Sequence, residues 1–63
     1  MLEQKIKYVV KRKGKKIYWV DNKNDFLPEI NNARSYPINE KLCDNEELVA
    51  IHPDGKLEVV RVG

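Results

Sequence analysis

The sequence predicts an α+β domain dominated by strands: a small antiparallel sheet of two hairpins with one short helix, in the order β-β-α-β-β. Three observations carry this. A strong turn, His52-Pro53-Asp54-Gly55, separates two apolar runs near the C-terminus. A strand-like alternation from Lys5 to Lys11 is followed, after Gly14, by the β-branched and aromatic run Ile17-Tyr18-Trp19-Val20. Between the hairpins, Leu27, Ile30 and Ala33 follow helical spacing behind Pro28.

The C-terminal turn has the best-defined chemistry. Proline presets φ for the second position of a type I turn, aspartate suits the third, and glycine accepts the left-handed conformation that follows. This is the pattern of a three-residue hairpin loop with a glycine bulge. It places Ile51 opposite Leu57 and Val49 opposite Val59 on one face, with Leu48, Ala50, Val60 and Val62 on the other.

In the N-terminal hairpin, Ile6, Tyr8 and Val10 alternate with Lys5, Lys7 and Lys11. Two registers are open. A three-residue loop Arg12-Lys13-Gly14 sets Tyr18 and Val20 beside Ile6, Tyr8 and Val10, leaving Ile17 and Trp19 with the lysines. A two-residue loop Lys13-Gly14 exchanges them, because a slip of one residue turns every side chain to the other face. The longer loop is preferred, since Lys13 is a poor first residue for a type I′ turn.

Asp21 to Asp25 reads as a polar turn. Pro28 suits a first helical position, Glu29 complements the positive end of the helix dipole, and Pro37 ends the run, giving a helix from Pro28 to Arg34. A further turn over Asn39 to Asn45 would point Leu42 and Cys43 inward.

The 63 residues make a single domain, 1–63, with one modest core. One cysteine forms no internal disulfide, and no Cys/His cluster suits zinc, so self-association is the remaining route to extra stability. No segment approaches the length of a membrane span, and the start Met1-Leu2-Glu3-Gln4-Lys5 lacks a signal peptide's apolar stretch. With a lone thiol, this points to a reducing, cytoplasmic setting. The net charge of +2 conceals a polarity: Met1 to Lys23 carries eight basic residues against two acidic ones, and Asn24 onward carries four against eight. The basic end could meet an acidic partner or the acidic end of another copy.

Enzyme readings find little support. His52 sits at a turn corner, whereas acid–base work needs a positioned partner and a cleft. Cys43 lies among Asp44, Glu46 and Glu47, which oppose thiolate formation, so a half-buried structural thiol is expected. The acidic residues match no calcium-loop spacing, and the isolated glycines Gly14, Gly55 and Gly63 form no phosphate-cradling loop. No cofactor and no small-molecule substrate are expected. The candidate binding surface is the basic hairpin and its aromatic and arginine neighbours: Lys5, Lys7, Lys11, Arg12, Lys13, Lys15, Trp19, Arg34 and Tyr36. A lysine stripe beside an aromatic suits a nucleic-acid backbone and a stacked base. It equally suits a soluble strand face that resists unwanted pairing. Both hairpins carry apolar residues on both faces, more than one short helix covers. Either the sheet curls into a small barrel or sandwich, or a second protein covers the remainder. A protein-binding accessory factor, or a homodimer, is therefore expected ahead of a nucleic-acid binder.

The runs Lys7-Tyr8-Val9-Val10-Lys11, Tyr18-Trp19, Ile30-Asn31-Asn32-Ala33-Arg34-Ser35-Tyr36 and Glu47-Leu48-Val49-Ala50-Ile51 resemble those of short phage and prophage proteins. These show a tyrosine-bearing first strand, a second strand, a short Ile-x-x-Ala helix ending at an aromatic, and a closing strand. The stretch from Pro37 to Glu46 departs from them. The resemblance implies an accessory protein that modulates a host or phage component, and it carries over no catalytic residue. Glu47 to Val62 is also similar to the closing hairpin of swapped-hairpin DNA-binding antitoxins and transition-state regulators, but their Gly-x-x-x-Ile-Pro element is missing.

Overall fold

A computed structural model describes residues 5–63; the start Met1–Gln4, read above as lacking a signal peptide, lies outside the described residues. Among the described residues, five strands form one antiparallel sheet: β1 (Lys7–Arg12), β2 (Tyr18–Val20), β3 (Asp25–Leu27), β4 (Glu46–Ile51) and β5 (Leu57–Val62), in the order β3-β2-β1-β4-β5. The sheet is open, with β3 and β5 as its edges among the described residues, so the small barrel offered above as one alternative does not form. No α-helix occurs among the described residues, and no helix is long and apolar enough to cross a membrane.

The predicted helix Pro28–Arg34 is replaced by a single 3-10 turn, Ile30–Asn32. A seven-residue helix scarcely repays its nucleation, and Asn32 bonds locally instead of propagating it. Here the Asn32 side chain donates to Glu29 Oε1 at 2.8 Å, and Ala33 is already extended, at ψ 145°. Upstream, the polar turn is shorter than expected. Asp21–Lys23 forms a 3-10 turn, Asn24 takes the left-handed conformation at φ 52°, and the chain re-enters the sheet as β3. Asparagine tolerates that conformation better than most residues. Val20 then pairs with Asp25 and Trp19 with Phe26.

The C-terminal hairpin has the expected register. Ile51 pairs with Leu57 and Val49 with Val59, while Gly55 holds φ at 93° and donates its N–H to the His52 carbonyl. Beyond Val59 the strand bulges. Leu48 pairs with Arg61, and Glu47 with Val62, so Val60 is the extra residue. One inserted residue reverses the alternation after it. Val62 therefore joins Leu57 and Val59, correcting the expectation that it shares a face with Leu48 and Ala50. Arg61 takes the Leu48 side, where its Nη1 donates to the Ile38 and Glu40 carbonyls.

The N-terminal hairpin differs from the preferred register. Lys11 pairs with Tyr18, and the Arg12 N–H donates to the Ile17 carbonyl, leaving a four-residue loop Lys13–Lys16 with Gly14 at φ 71°. Tyr18 and Val20 consequently share the face of Val9 and Lys11, and Trp19 shares that of Val10. Burial decides the outcome: Tyr18 and Val20 are almost fully enclosed in this arrangement.

Beyond Lys11 and Tyr18, β1 and β2 part, and the chain following the 3-10 turn fills the gap. Arg34 N–H donates to the Trp19 carbonyl, and Tyr36 N–H donates to the Tyr8 carbonyl. This threading covers the centre of the sheet on both sides. On one face Ala33 and Ile30 pack with Val9, Tyr18 and Val49. On the other, Tyr36, Glu40 and Lys41 lie over Val10, beside the fully buried Leu48 and Ala50. Turns at Pro37–Glu40 and Cys43–Glu46 return the chain to β4; Leu42 is half-buried there, but Cys43 is exposed rather than half-buried.

Candidate functional site

The basic residues do not form one stripe. Lys7 and Lys11 lie on the Val9 face, and Arg12 lies on the Val10 face. Lys11 Nζ is 2.8 Å from Glu47 Oε1, in a pair whose side chains are mostly covered. Arg12 stacks its guanidinium 4.4 Å from the centre of the Phe26 ring. Lys13 Nζ donates to the Gly63 carbonyl. Lys5, Lys15 and Lys16 remain exposed at the ends of the strands. No aromatic stands exposed among these lysines. Tyr18, which faces Lys11, is buried; Trp19 is on the opposite face.

A second group gathers the remaining candidates. Trp19 and Phe26 meet edge to face at 5.2 Å, and Trp19 Nε1 donates to Asp21 Oδ1. Arg34 lies 5.3 Å from the Tyr36 ring centre and 3.7 Å from Asp21 Oδ1. With Val10, Glu40, Lys41 and Glu46, the three aromatic rings line an open cavity of about 260 Å³. Two of these rings, Phe26 and Tyr36, already face arginines of this chain, and the Arg34–Tyr36 contact helps hold the loop that covers the sheet. Burial raises the Tyr36 phenol above the ordinary 10.0, Glu40 and Asp21 push the same way, and Arg34 opposes them. The group thus ties Tyr36 and β3 to the sheet.

His52 has a carboxylate partner, with its Nε2 2.9 Å from Glu58 Oε1, both at the hairpin surface. The adjacent cavity is lined by His52, Pro53, Asp54 and Lys56, none of which offers a hydroxyl or thiol nucleophile.

A row of exposed apolar side chains lies on β5, outside the residues singled out from sequence. Leu57, Val59 and Val62 are 50%, 48% and 59% exposed and share one side of a six-residue edge strand. Next to them, Lys11, Lys16, Tyr18, Val49, Leu57, Glu58 and Val59 line a shallow, mainly apolar cavity of about 200 Å³. The two-faced apolar pattern of the hairpin signals this surface in the sequence. The bulge that brings Val62 into it has no such signal, since nothing in Val59-Val60-Arg61-Val62 marks the inserted residue. Family models, curated proteins and solved structures provide no match to this chain.

Proposed function

We propose that the chain is a small, non-enzymatic protein-binding accessory factor, docking through the exposed apolar side of β5. Its support is the combination of Leu57, Val59 and Val62 on one side with a strand edge that no other described strand pairs. An edge strand offers free backbone donors and acceptors to another chain, and flanking side chains select what pairs. Natural edges are usually blunted with charge on the exposed face; here that face is apolar. The resemblance to phage and prophage accessory proteins suggests modulation of a host or phage protein.

The basic hairpin offers nucleic acid less than its composition promises, because Lys11, Arg12 and Lys13 all have partners within the chain. The test is capture with the immobilised protein, comparing wild type with Val59→Lys. The proposal expects a stoichiometric protein retained by wild type and lost with Val59→Lys, and no retention of random DNA or RNA at low salt. Equal capture by both baits would contradict the assigned surface. Salt-sensitive retention of nucleic acid without any protein would favour the basic hairpin instead.

A further inference from the structure

We infer that the occupant of the β5 edge is a second copy of the same strand, paired antiparallel so that Leu57 lies opposite Val62 of the other copy. The inference rests on the reading of β5 as the docking surface and names its partner. The bulge at Val60 is what makes the strand self-complementary. It returns Arg61 to the side that carries Glu58, since Glu58 pairs with Ala50 and Arg61 with Leu48, and it returns Val62 to the side of Leu57 and Val59. An antiparallel two-fold pairing that overlaps all six residues of β5 sets Glu58 against Arg61 of the other copy, twice. It also sets Leu57 against Val62, twice, and brings Val59 and Val60 together at the axis.

Charge favours this register, the one two-fold antiparallel alignment that sets Glu58 against Arg61. The two-fold antiparallel register centred on Glu58 places it against its own copy, and the one centred on Arg61 does the same for that residue. Parallel in-register pairing repeats both clashes. Like charges directly opposite are unfavourable in a ladder, and opposite charges favourable. Both side chains can take part. Arg61 uses Nη1 for the Ile38 and Glu40 carbonyls, which holds the guanidinium in place with Nη2 and Nε left over. Glu58 meets His52 through Oε1, leaving Oε2. The pairing is isologous, so one patch on each copy closes the assembly, as two-fold dimers require. It removes a six-residue edge and joins two five-stranded sheets into one. A single strand-to-strand seam is a small interface, so the dimer is a weak one.

Sedimentation equilibrium tests this on the full chain, using wild type, Glu58→Arg, Arg61→Glu and an equimolar mixture of the two variants. Each variant alone places two like-charged pairs at the seam, whereas the mixture can form a heterodimer with both pairs restored. The expected result is a wild-type dimer, association weakened more than about tenfold in each variant, and recovery in the mixture. Circular dichroism checks that the variants fold. Arg61→Glu also loses two loop contacts, so if it fails to fold, Leu57→Lys and Val59→Lys read the same seam, and both must be monomeric. A wild-type monomer up to about 0.5 mM would overturn the second copy as occupant while leaving a different protein partner open to the capture assay. A dimer that tolerates the charge reversals or the lysines would overturn the proposed seam.

Discussion

At the scale of single residues, the fold assigns Tyr36 a role that its sequence position only hints at. Its N–H bonds to β1, its ring meets Arg34, and burial holds its phenol in the neutral form. Raising the folded-state value of an acid leaves stability unchanged below the unfolded value, where both states are protonated. Above about pH 10 the unfolded chain sheds the proton first, and stability falls until the folded phenol also ionises. The phenolate absorbance removed by Tyr36→Phe should appear above the ordinary tyrosine value of 10.0, and Tyr36→Phe should lose less stability than wild type between neutral and strongly alkaline pH. A Tyr36→Phe variant with the same alkaline loss would contradict the assignment. The sequence marks Tyr36 as an aromatic at the end of a helix. It gives no sign of the gap between β1 and β2 that Tyr36 closes, because that gap depends on strands distant in the chain.

At the scale of elements, local chemistry was readable where it was self-contained. The Pro53-Asp54-Gly55 loop is settled by its own φ requirements, and Gly55 takes the positive φ its position demands. Gly55→Ala should therefore destabilise the domain by about 1 kcal/mol, measured by chemical denaturation, despite the open space around Gly55. No change would mean that the turn relaxes to another type. The other elements needed tertiary information. The loop preference of Lys13-Gly14 is weak, so burial of Tyr18 and Val20 sets the register in its place. A run of Leu27, Ile30 and Ala33 at helical spacing also suits a chain that leaves a strand, makes one tight turn and drops Ala33 into the core. Seven residues are too few for periodicity to separate these cases. The bulge at Val60 is illegible for a related reason: the contacts made beyond it, Gly63 N–H to the Glu46 carbonyl and Arg61 to the loop, are to residues distant in the chain.

At the scale of the whole molecule, the apolar excess was visible in the sequence, whereas its distribution was not. Threading of Arg34–Tyr36 between β1 and β2 covers the centre of the sheet on both faces with irregular chain, which neither a helix nor a barrel would have done with so few residues. Among the described residues, the large apolar side chains left exposed are Ile6, Ile38 and three on β5, Leu57, Val59 and Val62. The candidate residues around the basic hairpin are largely consumed in holding this architecture: Lys11 by Glu47, Arg12 by Phe26, Arg34 by Tyr36 and Asp21. The proposed docking surface therefore lies toward the other end of the sheet from the basic hairpin.

The most direct test of this account is the unfolding free energy of Val59→Thr, a change of nearly constant shape and strand preference, measured at low micromolar concentration where association is negligible. If the β5 side chains form a surface on an open sheet, the change stays within about 0.5 kcal/mol of wild type. A loss above about 1.5 kcal/mol would show that Val59 is enclosed in the monomer, as a curled or closed sheet requires, and would contradict β5 as a docking edge.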